Sequence, residues 1–320
     1  MKKKNKPERK KRKGWLTFLW GFLFLLLVIV IVAAACIGKI YWDVKKTSNA
    51  IHNDVPIEMR GASSFDHKKD DIVTGKPFSV LIMGIDTGDF GRTDIGRSDT
   101  MMVATVNQKK KETLLMSVPR DTYTEISGKG FPDKINHAYA FGGAAMAMDT
   151  TENLLNIPIH YYIWLNMKGM SDLVDVLGGI TVMNPTAFTY AKFDYPVGEL
   201  KMGGLEALQY TRMRKEDPRG DYGRQERQRI VLEAISKKLL NLSNVTKYQS
   251  ILNVLGENMQ TNLTLEEMRD IEQNYHSALV NIRGDYMQGE GAMIDGGSYQ
   301  LIPEAELSRV QKELAKSLQQ

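Results

Sequence analysis

Apolar and polar positions divide the chain into three regimes. From Gly14 to Gly38, 25 residues pass without a charge, rich in Leu, Val, Ile and Phe, with Trp15, Trp20 and Trp42 near the ends. A stretch of that length spans a bilayer as a single helix. Residues 39–75 then mix Lys45, Lys46, Asp54, Glu58, Lys68, Lys69, Asp70 and Asp71 without a sustained period, as in a polar stalk. From Lys76 onward, short apolar runs alternate with helical spacings.

In that third regime PFSVLIMGI ends in Asp86, a buried strand that delivers a carboxylate at its C-terminal end. A glycine-bearing loop, TGDFGRTDIGRSDT, leads into TMMVATVNQ, a KKK turn and TLLMSVPRD, the pattern of a hairpin ending at Pro119. Helical spacing returns over Ala138–Leu155 and Met167–Leu177, with a strand over Ile159–Leu165 between them and a short strand, ITV, after Gly178-Gly179. Further helices are expected over about Asp221–Leu240, Tyr248–Leu255, Leu265–Leu279 and Pro303–Leu318. Alternation of this kind predicts an α/β fold.

Charge sharpens the topology. The chain has 42 Lys and Arg and 38 Asp and Glu. Nine of those cations and one acid, Glu8, fall in the first thirteen residues, which leaves 33 basic and 37 acidic residues beyond them. An acidic remainder gives no general footing for nucleic acid. The basic tail instead marks the cytoplasmic side of the span, so everything after about Lys39 is expected outside the cell. A cleaved signal peptide, or a lipidation site at Ala34-Ala35-Cys36, would leave the same domain outside. With Cys36 as the sole cysteine, intramolecular disulfides and thiolate metal sites are excluded. The predicted organisation is a cytoplasmic tail (1–13), a transmembrane signal anchor (14–38), a stalk (39–75) and an extracytoplasmic domain (76–320). Within that domain, 76–243 holds the motifs and 244–320 is a helical completion.

Three constellations carry chemistry. Asp86 is followed by Arg97, Ser98 and Asp99, so a strand-end carboxylate and a loop carboxylate can converge; with substrate phosphates, two carboxylates suffice for Mg²⁺. Asp89 and Asp94 read more simply as turn formers. Val118-Pro119-Arg120-Asp121-Thr122 places a cation and an anion directly after a strand, although such a neighbour pair is commonly just a solvated ion pair. The strongest signal is Tyr210-Thr211-Arg212-Met213-Arg214, followed by a helix opening DYGRQERQR. At about 100° per residue, Asp221, Arg224 and Gln228 continue the stripe of Leu232, Ile235 and Leu239, so these polar side chains point inward. A buried guanidinium needs an anion, and Asp221 cannot neutralise Arg212, Arg214 and Arg224 together, so a phosphorylated ligand is expected. Lys134 and Asn136 precede the Ala138 helix as a further cation and a cap, while His137 reads as a structural histidine.

These motifs carry a family resemblance. GID, GRSDTM, SVPRDTY, KINHAYAFGG, YTRMR and DYGRQERQ, in this order after one apolar span, resemble the LytR-CpsA-Psr cell-wall ligases of Gram-positive bacteria. The resemblance implies an α-β-α sandwich with a central mixed sheet and an apolar pocket for an isoprenoid chain. It implies Asp86 and Asp99 as ligands of Mg²⁺ or Mn²⁺, Arg120, Arg212, Arg214 and Arg224 as the pyrophosphate grip, and Gln228 and Asp221 as their support. Arg97, Asp121, Lys134 and Arg227 fall in the same motifs. The implied reaction transfers a glycopolymer such as wall teichoic acid from undecaprenyl pyrophosphate to a muramic-acid hydroxyl of peptidoglycan at the membrane. Arg120, Asp121 and Asp99 stand nearest the chemistry, and both Asp121 and Asp99 qualify by position as the base. The rivals are a polyisoprenyl pyrophosphatase and a non-catalytic sensor of lipid-linked precursors.

Overall fold

The computed structural model describes residues 11–55, 60, 65, 72, 74–86, 96–240 and 247–319, with side chains from residue 30 onward. Asp89 and Asp94 lie outside the described residues. Contacts divide the chain into two units, residues 1–46 and 47–320. The first consists of α1 (Lys11–Ile51), whose last residues belong to the second unit. Residues 39–51, expected to begin the polar stalk, are helical, with Ser48 and Ile51 buried near the end of the helix. Among the described residues no helix is long and apolar enough to cross a membrane, the greater part of the 14–38 stretch lying before residue 30.

The second unit is built on a mixed sheet. β1 (Phe78–Ile85) pairs antiparallel with β2 (Ser98–Asn107), which turns through Lys109–Lys111 into β3 (Glu112–Ser117), giving the expected hairpin. A small hairpin of β4 (Tyr123–Glu125) and β5 (Pro132–Lys134) leads to α2 (His137–Leu155). α2 is interrupted at Gly142 and Gly143, the latter at φ +63°, a conformation that suits glycine. β6 (Tyr161–Asn166) returns parallel to β1 and runs into α3 (Met167–Val176), β7 (Ile180–Asn184), β8 (Phe188–Tyr190), β9 (Phe193–Tyr195) and β10 (Gly198–Met202). α4 (Gly204–Arg212), α5 (Asp221–Leu240) and α6 (Tyr248–Asn258) follow, then β11 (Met259–Thr261) and α7 (Leu265–Val280). β12 (Ile282–Tyr286), a hairpin of β13 (Glu290–Ile294) and β14 (Gly297–Leu301), and α8 (Glu304–Leu318) complete the chain.

The main sheet has the order β11-β6-β1-β2-β3-β12. Alternation along β1 sends Leu81, Met83 and Ile85 into one core with Ala147, Met148, Val310 and Leu314, so α2 and α8 cover that face. Phe78 and Val80 pack instead with Tyr275, Ala278 and Leu232, so α5 and α7 cover the other. A third cluster joins α3, α4, α5 and α6 around Leu173, Val174, Tyr210 and Ile235. The layers are α-β-α, as the resemblance implied. The C-terminal segment, expected to be helical, also supplies both edge strands of the sheet; β12 pairs parallel with β3 although IRGDY carries few apolar residues.

Candidate active site

The two motif carboxylates stand at the same end of neighbouring strands. Gly84 faces Thr100 and Ile85 faces Ser98, so Asp99 is the extra residue of a β-bulge. A bulge bends the strand and re-aims its unpaired side chain, which is how Asp99 leaves the regular face alternation. Beyond it, the Asp86 N–H donates to the Arg97 carbonyl at 3.1 Å, holding Asp86 beside the bulge. Arg97 contributes that carbonyl while its side chain is solvent-exposed.

β3 ends before Pro119 and hands Arg120 to the same place. Arg120 Nη1 lies 2.8 Å from Asp99 Oδ1, and Arg120 Nε lies 3.7 Å from Asp121 Oδ2. Lys134 Nζ donates to Asp121 Oδ1 at 2.9 Å. The turn is fixed: Thr122 N–H and Oγ1 both donate to the Pro119 carbonyl, and the Asn136 N–H donates to the Arg120 carbonyl.

The second half of the site comes from the junction of α4 and α5. Asp221 opens α5 and draws two arginines, Arg224 Nη2 at 2.6 Å and Arg214 Nε at 3.6 Å, while Gln225 Nε2 donates to its other oxygen at 2.9 Å. Arg224 is buried and Arg214 is exposed; Arg212, the last residue of α4, is half-buried. Arg227 does something different. Fully buried, it bonds Asp217 Oδ2 and the Met213 carbonyl at 2.5 Å each and the Tyr210 carbonyl at 3.1 Å, with its guanidinium 5.0 Å from the Phe188 ring centre. It ties the segment carrying Arg212 and Arg214 to α5. A Cβ at Gly223 would come within 1.8 Å of the Asp217 carboxylate, so this close approach requires glycine.

Charge joins the two halves. Burial lowers the Arg224 pKa, with Asp221 and Asp99 opposing and the Arg120 and Arg214 charges adding to the shift. Burial would also lower that of Arg120, but Asp99, Asp121 and Asp221 reverse the sign and raise it. Arg120, Lys134, Arg214 and Arg224 pair with Asp99, Asp121 and Asp221, four cations to three carboxylates before Asp86 is counted. The buried Nε donors of Arg120 and Arg224 have no hydrogen-bond acceptor among the described residues. Arg224 and Asp221 meet as charges, at angles that do not make a hydrogen bond. A buried cationic donor without an acceptor is costly, so the cluster suits an anion with several oxygens.

An apolar cavity of about 250 Å³ abuts the cluster, enclosed by β1, β2, β6 and α3–α6. Leu232, Ile235 and Leu239 line it, with Gln228 on the same stripe one turn after Arg224, as the helical spacing predicts. Of its polar members, Thr100, Thr211 and Gln228 are neighbours in sequence or by one helical turn of Asp99, Arg212 and Arg224, and Asn166 pairs with Ile85 beside Asp86, so the charged groups stand at its polar end.

The LytR_cpsA_psr family profile matches residues 36–316. The chain belongs to that family. Among its relatives is a polyisoprenyl-teichoic acid–peptidoglycan teichoic acid transferase TagU of Enterococcus faecalis, 46% identical over 94% of this chain and 97% of that one. The crystal structure of Bacillus subtilis TagU is 46% identical with a TM-score of 0.63, covering 77% of this chain and 98% of that one. A structure of TagT bound to LIIa-WTA is 29% identical with a TM-score of 0.66, covering 83% and 99%.

As a LytR-CpsA-Psr protein the chain brings Arg120, Asp121, Asp99, Lys134, Asp221, Arg214 and Arg224 together, with Gln228 at the cavity and Asp86 beside Asp99. Among the described residues no cluster of three or more His, Cys, Asp or Glu could cage a metal. Two carboxylates at adjacent strand ends fit Mg²⁺ only with phosphate oxygens completing the shell, the arrangement this ion favours. His137 Nδ1 meets Asp133 Oδ2 at 2.7 Å, the structural role expected of it. Sequence reasoning missed Gln225, whose i, i+4 spacing from Asp221 was the available signal, and Asp217, for which no local signal exists. It also missed the C-terminal hairpin, where the Gln300 N–H donates to the Asp121 carbonyl at 2.8 Å.

Proposed function

We propose that this LytR-CpsA-Psr protein is a membrane-anchored phosphotransferase. It moves a teichoic-acid-type glycopolymer from a polyisoprenyl pyrophosphate to a muramic-acid hydroxyl of peptidoglycan. The observation that carries this reading is a cluster of arginines, two of them with a buried Nε free to donate, at the polar end of an apolar cavity, which matches a lipid tail and a diphosphate head in one ligand. The activity named for its relatives supports the same substrates. The basic tail and uncharged stretch before Lys39 support a cytoplasmic tail and an outside domain by the positive-inside rule, on the side where the acceptor is.

In this reading the lipid lies along the α5 stripe. Arg120 and Arg224 hold the pyrophosphate bidentately, with Arg212, Arg214 and Lys134 adding charge. Asp86 and Asp99 would hold Mg²⁺, which supplies charge stabilisation at the phosphate oxygens when bound. The acceptor oxygen bonds to the phosphorus that bears the sugar while the bridging P–O bond breaks. Lipid phosphate leaves, and Asp121 takes the hydroxyl proton. Charge grows on the nonbridging and leaving oxygens, and the arginines stabilise it without a covalent intermediate.

The test supplies radiolabelled lipid-linked polymer, purified peptidoglycan and Mg²⁺ to the full chain in detergent. Label transferred covalently to peptidoglycan is the expected result. Release of free polymer phosphate alone would make the protein a pyrophosphatase, and binding without turnover would make it a sensor.

A further inference from the structure

Beside Asp121, on residues none of which lines the apolar cavity, aromatic rings follow one another across three elements. Phe131, before β5, meets Phe141 of α2 edge to face at 6.1 Å between centres, and Phe141 meets the His137 ring at 5.9 Å. Asp133 bridges His137 to Tyr299 of β14, whose hydroxyl donates to it at 3.4 Å. Tyr299 meets Tyr123 of β4 edge to face at 5.1 Å, and Lys134 Nζ stands 5.4 Å from the Tyr299 ring centre while it also bonds Asp121. Despite their mutual contact, Phe131 and Phe141 remain 45% and 42% exposed, and Tyr123 and Tyr299 are half-buried.

We propose that this strip seats the acceptor glycan strand and guides its hydroxyl to the reaction centre; the inference rests on the acceptor being peptidoglycan. A sugar ring has apolar C–H faces and a polar rim, so it suits aromatic surfaces separated by hydrogen-bonding groups. Asp133, half-buried and held by Tyr299 and His137, supplies such a group between the rings. Lys129, 5.3 Å from the Phe141 ring centre, offers a cation for the carboxylates of peptide stems. Continuity with Asp121 decides the occupant: the strip ends at the group that receives the hydroxyl proton. A lipid tail has its own place in the cavity.

The experiment measures co-sedimentation of the full chain with peptidoglycan sacculi stripped of teichoic acid, and in parallel the thermal stabilisation of each variant by a polyisoprenyl pyrophosphate. Tyr299→Ala and Phe141→Ala should each weaken sacculus binding roughly tenfold, the scale of one lost aromatic contact. Tyr299→Phe, which keeps the ring, should bind nearly as wild type, and all three should keep the lipid-induced stabilisation. Unchanged sedimentation of both alanine variants overturns the proposal. So does loss of lipid stabilisation in parallel with sacculus binding, which would mark the rings as part of the fold alone. Sacculus binding by a wild-type protein that no lipid pyrophosphate stabilises would leave the strip standing and sink the donor reading instead.

Discussion

At the residue scale, the decisive contrast is between arginines that are satisfied and arginines that are not. Arg227 spends its donors on Asp217 and two carbonyls, whereas Arg120 and Arg224 each keep a buried Nε without an acceptor. Arg120→Ala or Arg224→Ala should therefore cut transfer roughly a hundredfold to a thousandfold, about 2.7–4 kcal/mol of barrier, with little change in the thermal midpoint. Arg227→Met should do the reverse of a catalytic variant: it strands a buried Asp217, costs about 3–5 kcal/mol and lowers the urea midpoint. Burial alone would raise the Asp217 pKa, but the Arg227 hydrogen bond, the Arg219 N–H and both guanidinium charges lower it overall. A lowered carboxyl contributes stability that is present above its unfolded value, about 3.9, and is lost as pH falls through the folded one. The urea midpoint should accordingly drop as pH goes below about 4, and Asp217→Asn should flatten that part of the profile. The inward set of Asp221, Arg224 and Gln228 was legible because helical periodicity reports direction. The role of Arg227 was not, because its partner Asp217 lies in an irregular turn where spacing says nothing about contact.

Among elements, α5 unites the charged and apolar halves of the candidate site, with charged groups in its first turn and apolar lining toward its end. Ile235→Phe places extra bulk in the cavity and should raise the KM for lipid donor several-fold while the thermal midpoint holds or rises, as filling a void predicts. Deleting Asp99 would restore regular β1–β2 pairing and should abolish transfer with the sheet intact, read by unchanged circular dichroism. The strands of the hairpin were legible from their apolar runs, but the bulge was not, since one extra residue leaves those runs unaltered. β12 escaped notice for a related reason: IRGDY gains its place by pairing with β3, a contact from far along the chain that no local pattern encodes.

For the whole molecule, residues 47–320 hold every side chain of the candidate site within one unit. A chain starting at residue 47 should keep its thermal midpoint and its activity on detergent-dispersed donor while losing association with liposomes. The α/β class was legible from alternating elements, and the bounds of the unit were not, because Ile51, Arg60 and Ile72 are buried upstream of the expected start at Lys76. Arg60 reaches Asp149, Glu152 and the Ile159 carbonyl, a set of partners about 90 positions away. One more property follows from α5 as a rigid rod. Arg224 and Leu239 are fixed about 22 Å apart along it by the helical rise. On the proposed reading the helix would act as a ruler: carriers too short to reach its far mark should gain affinity with each added isoprene, and longer ones should gain nothing further.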